Sequence, residues 1–498
     1  MLKITFILIA CLLVLVLAFA PHVFPFTTDS LIYISSAENI TEGKGLVFDN
    51  VFVQPPEPDM LPLQLYPPGY PFLIALLHML GVSAPAAALI IPRFFFLLLP
   101  TGFFLVFRSL MPGKLAMVIA GLCAFLFPYL RCALMAWTGI PFLFLSLISF
   151  VFIFKTARTQ GKEQWMCALA SGLLTGGALL MRNAGYALVL SIGSGFILMF
   201  VLKILPFKKL VKVVAAYAVG VAALFVPYAV RNYVVFGAVN PYRLPPSNVS
   251  LATNLADYTR ALSQVILGNH SYGAAVLLLA AGLLAWFMIA ARQLIRTNKV
   301  KVFYAAVLVI YFCSGSFLVV LFKTVYFGPE TINERYLIQY AWIMMGGLSF
   351  GVHFLLAKLK ARGSVDTKGI AILIILAFLL IQIFPAADLY FQQERILKIA
   401  KKVEAHASVL SQIPEDYVIV SNVMDMTAFF SRRNVRLLNG YTPYGLIHLL
   451  GSKRKFAVFI IKECGRDYRS YQYPPSWENP EGYRLVHSNR DIALWLPE

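Results

Sequence analysis

One aspartate and four arginines are the residues whose types and spacing could do chemistry in this chain. Asp29 opens a helical pattern, Thr27-Thr28-Asp29-Ser30, with Ile32, Tyr33, Ala37 and Ile40 on one face, which predicts an amphipathic helix lying at the membrane interface. A carboxylate there can cap its own helix, a role Asp fills well. It can equally act as a base that takes the proton of an acceptor hydroxyl. Arg131, Arg182, Arg231 and Arg335 each stand at the end of an apolar run. Each alone has a plain explanation, either snorkelling to an interface or pairing with a nearby carboxylate. Taken together they also suit a bound anion, because the guanidinium fork matches phosphate oxygens. A lipid phosphate at headgroup depth would fit.

The elements that position these residues are set by composition. The chain has 498 residues, 59% hydrophobic and 13% charged, with a mean hydropathy of +0.75. Soluble domains carry roughly 25% charged residues. Apolar runs of about 17–25 residues recur, the length that crosses a hydrocarbon core roughly 30 Å thick. The formal net charge is +19, but Lys and Arg cluster in short loops between apolar runs. That is the mark of cytoplasmic loops, not of a nucleic-acid surface. The sequence therefore predicts an α-helical polytopic membrane protein with about eleven transmembrane helices. The spans are expected near residues 4–24, 86–107, 115–130, 134–154, 165–181, 185–205, 212–230, 272–292, 302–322, 336–357 and 369–387.

This arrangement places every basic loop inside and the four arginines at the outer ends of spans, against the usual bias. Residues 67–80 are apolar but too short to cross, so residues 66–81 are expected as a juxtamembrane helix on the outer surface, entered through Pro67-Pro68-Gly69. Ala18-Phe19-Ala20 resembles a signal-peptide cleavage site, but Pro21 follows it and apolarity continues to Phe26, so an uncleaved first span is expected.

Three outer regions are large. The first outer loop, residues 25–84, holds six acids, Asp29, Glu38, Glu42, Asp49, Glu57 and Asp59, against Lys44 as the one basic residue of its acidic stretch. The second, residues 231–270, has an amphipathic stretch around Leu255–Leu267. Residues 1–388 form the expected membrane domain, and residues 389–498 a small C-terminal α/β domain outside the membrane. In that tail Lys398–Leu410 reads as helix, and Tyr417–Ser421, Phe456–Ile461 and Ile492–Trp495 read as strands.

Metal and redox chemistry find little support. The six cysteines show no ligand or disulfide spacing. His22, His78, His270 and His353 are scattered. Glu334-Arg335-Tyr336 follows a short polar loop and starts a span. It can be an ion pair beside an aromatic belt residue, or an arginine on phosphate steadied by Glu334.

Several segments together resemble the GT-C class of membrane glycosyltransferases, nearest the protein O-mannosyltransferases and the aminoarabinose transferases that modify lipid A (glycosyltransferase families 39 and 83). They are Asp29-Ser-Leu-Ile-Tyr33 with Ala37 and Gly43-Lys-Gly45; Tyr66-Pro-Pro-Gly-Tyr-Pro71; Leu180-Met-Arg182-Asn-Ala-Gly185; Pro227-Tyr-Ala-Val-Arg231-Asn232 with Phe236-Gly237; and Glu334-Arg-Tyr336. They occur in family order over residues 1–350. The resemblance implies transfer of a sugar from a polyprenyl-phosphate carrier to a lipid, glycan or protein acceptor, on the outer face of a membrane that would be the inner membrane of a bacterial cell. It implies Asp29 as base or metal-linked carboxylate. It implies Arg335, helped by Arg182 or Arg231, on the carrier phosphate, with Tyr33, Tyr66, Arg131, Glu334 and Tyr336 lining the substrate site. Membrane lipids are the expected surroundings, and no nucleic acid is expected as a partner.

Two departures stand out. Many members carry a second acid after the third span, where this chain reads Arg131-Cys-Ala-Leu-Met-Ala-Trp137-Thr-Gly139-Ile-Pro141. That departure argues against a divalent metal shared between two carboxylates, and a divalent metal is allowed but not required. The aminoarabinose transferases carry a lysine where Tyr66 stands. The rival functions are a transporter or flippase, disfavoured by the lack of an internal repeat, and an inactive member serving as a scaffold.

Overall fold

A computed structural model describes residues 2–23, 25–49, 60–64, 66–241, 247, 249–267, 282, 285–286, 298–325, 332–361, 367–414, 417–421, 424–431, 435–437, 456–461, 483–488 and 492–497. The apolar runs form helices, in chain order α1 (Leu2–Phe19), α2 (Thr28–Thr41), α3 (Gly69–Met79), α4 (Ala84–Leu110), α5 (Gly113–Ala124), α6 (Phe127–Leu134), α7 (Gly139–Thr156), α8 (Gly161–Met181), α9 (Gly185–Val201), α10 (Phe207–Phe236), α11 (Leu251–Leu267), α12 (Lys299–Val325), α13 (Ile338–Ala361) and α14 (Thr367–Ala405). Among the described residues five of these, α4, α7, α8, α10 and α12, are each long and apolar enough to cross a membrane. The pair α5 and α6, bent by 54°, makes a sixth if it is one span. The apolar parts of α1 and α14, and all of α9, are shorter. The eleven expected crossings are thus met in part, and the one expected over 272–292 falls almost wholly outside the described residues. Residues 69–79 form a short apolar helix, too short to span.

The spans expected over 115–130 and 134–154 are divided differently. α5 ends at Ala124, α6 turns away to Leu134, and α7 starts at Gly139. The new helix starts where Leu126 is extended at φ −60° and ψ 121°, and Pro128 sits in the first turn of α6, where its missing N–H costs no helical hydrogen bond.

The chain divides into two compact units. The first comprises Met1–Ala20, Gln64–Tyr70 and Leu89–Asp388. Its core is aromatic. Trp342 of α13 lies 6.0 Å from Phe103, 5.8 Å from Phe107 and 6.3 Å from Phe150, ring to ring. Helices α7 and α8 are joined by buried hydroxyls, Ser149 hydrogen-bonding to Ser171 and Thr175. Helices α8 and α10 approach so closely that a methyl group on Gly172 would lie 2.1 Å from the Tyr217 carbonyl oxygen, and one on Gly220 2.5 Å from that of Leu169. Small residues at such spacing let two helix backbones meet, as they do in membrane helix pairs.

The second unit comprises Pro21–Leu63, Pro71–Ala88 and Leu389–Glu498. In it strands β1 (Val47–Asp49) and β2 (Met60–Pro62) pair antiparallel. Further on, α15 (Ala407–Leu410) precedes a five-stranded sheet of order β4-β3-β5-β7-β6. Its strands are β3 (Val418–Ser421), β4 (Val435–Leu437), β5 (Phe456–Ile461), β6 (Tyr483–Ser488) and β7 (Ile492–Pro497). β3 runs parallel to β4 and β5, and β7 runs antiparallel to β5 and β6. Helix α16 (Met424–Ser431) is the crossover that parallel β3 and β4 need. Phe429 of α16 stacks on Phe26, centroids 4.4 Å apart, tying the segment before α2 to the sheet's helix.

Candidate functional site

Helix α2 presents Asp29. Thr27, extended at φ −127° and ψ 174°, is its N-cap, and Ser30 closes the capping box by accepting the Thr27 amide at 3.1 Å. The capping role considered for Asp29 therefore belongs to Thr27. Asp29 sits in the first helical turn, half-buried, where the dipole favours a negative charge. The amphipathic face expected for α2 is corrected as well. Ile32, Tyr33 and Ala37 are buried, but so are Ser30, Ser35, Ser36 and Asn39. The helix is packed almost all round, with serines and asparagine where a wet face was expected; Asn39 donates to Ser35 within it. Of the acids in the first loop, Glu42 pairs with exposed Lys44 at 2.6 Å, and Glu57 and Asp59 lie outside the described residues.

The arginines belong to the first unit, where helix ends gather. The turn Glu334–Tyr336 is a single 3-10 turn entering α13. It is held from several sides. The Arg335 amide donates to Asn333 Oδ1, Gln339 Nε2 donates to the Tyr336 carbonyl at 2.7 Å, and the Tyr129 hydroxyl of α6 donates to the Ile338 carbonyl at 2.9 Å. The Arg335 guanidinium lies 5.3 Å from the centroid of the Trp137 ring and 5.6 Å from that of Tyr336. These are cation–π distances. The side chain of Glu334 lies outside the described residues.

Arg182 ends α8 in an extended conformation, φ −153° and ψ 144°. Its Nη1 is 3.3 Å from the point a Cβ on Gly139 would occupy, and Ile338 Cδ1 is 2.5 Å from that point. Arg182 is also within electrostatic reach of the Tyr311 and Tyr340 hydroxyls. Tyr66, half-buried, precedes a turn in which Gly69 presses on the Leu180 carbonyl; a Cβ there would be 2.6 Å from that oxygen. Arg131 closes the last turn of α6, the helix that packs on the Glu334–Tyr336 turn. The structure thus brings Arg182, Arg335 and Tyr336 to one cluster of helix ends, with the helix of Arg131 against it. Arg231 differs. It donates to Asn232 Oδ1 at 3.0 Å and lies 5.0 Å over Phe236, both on its own helix.

Sequence reasoning missed Lys323. It is 7% exposed in the last turn of α12, with its Nζ 4.7 Å from the Tyr336 ring centroid. The signal was available: it closes an otherwise uncharged run from Val302 to Phe322. Trp137, which carries Arg335, was read only as part of a segment lacking an acid.

The donors described do not fit a metal held between carboxylates. Among the described residues no three His, Cys, Asp or Glu side chains converge as a metal would require. In the acid-free stretch 131–141, Gly139 is crowded by a guanidinium and an isoleucine.

No family model matches the chain, and no curated protein matches it. Solved structures do. The apo form of ArnT from Cupriavidus metallidurans has a TM-score of 0.61 at 11% identity, over 98% of this chain and 97% of that one. The same protein bound to undecaprenyl phosphate gives 0.57 over the same shares. The oligosaccharyltransferase AglB from Archaeoglobus fulgidus, with an inhibitory peptide and a dolichol-phosphate, gives 0.58 at 13% identity, over 91% of this chain and 69% of that one. A further structure of the archaeal enzyme contains Zn and sulfate. From end to end, this chain has the fold of the GT-C membrane glycosyltransferases.

Proposed function

We propose that this protein is an integral membrane glycosyltransferase that moves a sugar from a polyprenyl-phosphate carrier to an acceptor on the outer face of the membrane, with inversion at the anomeric carbon. The observation that carries the proposal is the cluster of helix ends bearing Arg182 and Arg335, on a fold whose solved examples hold undecaprenyl phosphate and dolichol-phosphate. Two guanidiniums held by aromatic and helical neighbours suit a lipid phosphate in both charge and fork geometry.

The acceptor's oxygen attacks the anomeric carbon, and its proton passes to the Asp29 carboxylate. The bond from that carbon to the phosphate oxygen breaks, and the polyprenyl phosphate leaves with the electron pair. This leaving group is stabilised by charge, so Arg335 and Arg182 substitute for an acid catalyst. Tyr33, one turn along α2 from Asp29, and Tyr66, before the Gly69 turn, are assigned to substrate contact, as are Arg131 and Tyr336. Glu334 is assigned to steady Arg335. Arg231, engaged on its own helix, is the weakest member of the set.

The test is sugar transfer from a panel of polyprenyl-phosphate sugars by purified protein in lipid, comparing wild type with Asp29→Asn, with and without chelator. A general base supplies roughly 10²–10⁴-fold, so turnover in the variant should fall at least that far while the protein stays folded. Turnover near wild type in Asp29→Asn would remove Asp29 from the mechanism.

A further inference from the structure

We propose that Lys323 is a further cation for the carrier's phosphate, held on the ring of Tyr336, the residue that follows Arg335. The inference rests on the carrier reading above and adds to it a residue from a different helix. Lysine is rarely buried, yet Lys323 is 7% exposed and ends an apolar helix. Its place is set by its neighbours. The next residue, Thr324, accepts a hydrogen bond from Asn254 of α11 at 3.1 Å, and the Val325 carbonyl accepts from the Ser247 amide at 3.2 Å. Lower on the same helix, Ser316 hydrogen-bonds with Tyr258 of α11. The last turn of α12 is therefore pinned, and the direction in which Lys323 leaves it is fixed.

That direction brings the ammonium to 4.7 Å from the Tyr336 ring centroid, while the Arg335 guanidinium is 5.6 Å from the same centroid. One phenol ring thus gathers two cations from two elements. A phosphate bound by both uses donors of different kinds. Arg335 offers a flat fork, and Lys323 offers a compact ammonium with three donors.

The experiment uses the full chain in phosphatidylcholine nanodiscs and two probes, undecaprenyl phosphate and undecaprenol. A phosphate ligand differs from a merely structural lysine in that only the phosphate probe senses it. Lys323→Met should weaken undecaprenyl phosphate at least tenfold and leave undecaprenol unchanged, and Lys323→Arg should stay within about threefold of wild type for both. If Lys323→Met does not fold, Lys323→Gln takes its place under the same thresholds. Equal loss of both probes, or no loss of either, in a wild-type background that prefers the phosphate overturns the role of Lys323 and leaves the carrier reading intact. A wild-type protein that binds the two probes alike overturns both.

Discussion

Gly139→Asp puts the phosphate role of Arg182 to a direct test. A Cβ at this position stands 3.3 Å from Arg182 Nη1, so a carboxylate one bond further on is within ion-pair reach of the guanidinium without backbone movement. The same Cβ would sit 2.5 Å from Ile338 Cδ1, the far end of a flexible side chain that must shift. Overpacking of this kind costs roughly 1–3 kcal/mol of stability. Gly139→Asn carries nearly the same volume and no charge, so the pair isolates the electrostatic part. If Arg182 holds the carrier phosphate, the new carboxylate competes for it. A hydrogen bond to a charged group is worth about 1.5–3 kcal/mol, which converts to a roughly 10- to 150-fold loss of affinity for Gly139→Asp relative to Gly139→Asn. The assay is binding of undecaprenyl phosphate to each variant in nanodiscs, with thermal unfolding as a check on folding. Equal affinity in the two folded variants would refute a phosphate contact by Arg182.

Two further outcomes follow from the site and its support. Arg335→Met should weaken carrier binding by about tenfold or more, and Arg335→Lys should fall between, since it keeps charge but loses the fork and most of the stacking on Trp137 and Tyr336; an unchanged apparent carrier affinity in Arg335→Met counts against its role. Thr27→Ala removes the cap of α2 and should lower stability by about 1 kcal/mol, seen as a reduced midpoint in thermal unfolding, and no shift would mean that tertiary packing alone holds the helix start that bears Asp29.

The large architecture was legible because bilayer crossing imposes a length and an apolarity that local sequence cannot disguise. Among the described residues most apolar helices and all three expected strands of the tail stand where their patterns placed them, while the spans expected over 115–130 and 134–154 are divided differently. The three-residue strands β1, β2 and β4 were missed, since segments such as Val435–Leu437 carry no period and their pairing is set by distant partners, and the six-residue β6 was missed as well. Helix α2 was read correctly as helix and wrongly as amphipathic, because Ser35, Ser36 and Asn39 signal water in a sequence yet are buried here. At the site, Arg335 and Arg182 were visible as charges out of place at helix ends. Lys323 was not, because a lysine at the close of a span has an ordinary explanation in snorkelling, and only its burial against Tyr336 distinguishes it.

The break between α5 and α6 leaves backbone groups without helical partners in the middle of an apolar run. One of them is answered from far along the chain: the Phe127 amide donates to Gln382 Oε1 at 2.9 Å, and Gln382 Nε2 donates onward to the Ile266 carbonyl at 3.1 Å. A single buried glutamine of α14 thus completes the start of α6 and the end of α11 at once. Amide protons report such a clasp. Phe127, at a helix start where exchange is ordinarily rapid, should exchange its hydrogen slowly, on the timescale of the surrounding core, and Gln382→Leu should release it while leaving the exchange of α7 unchanged.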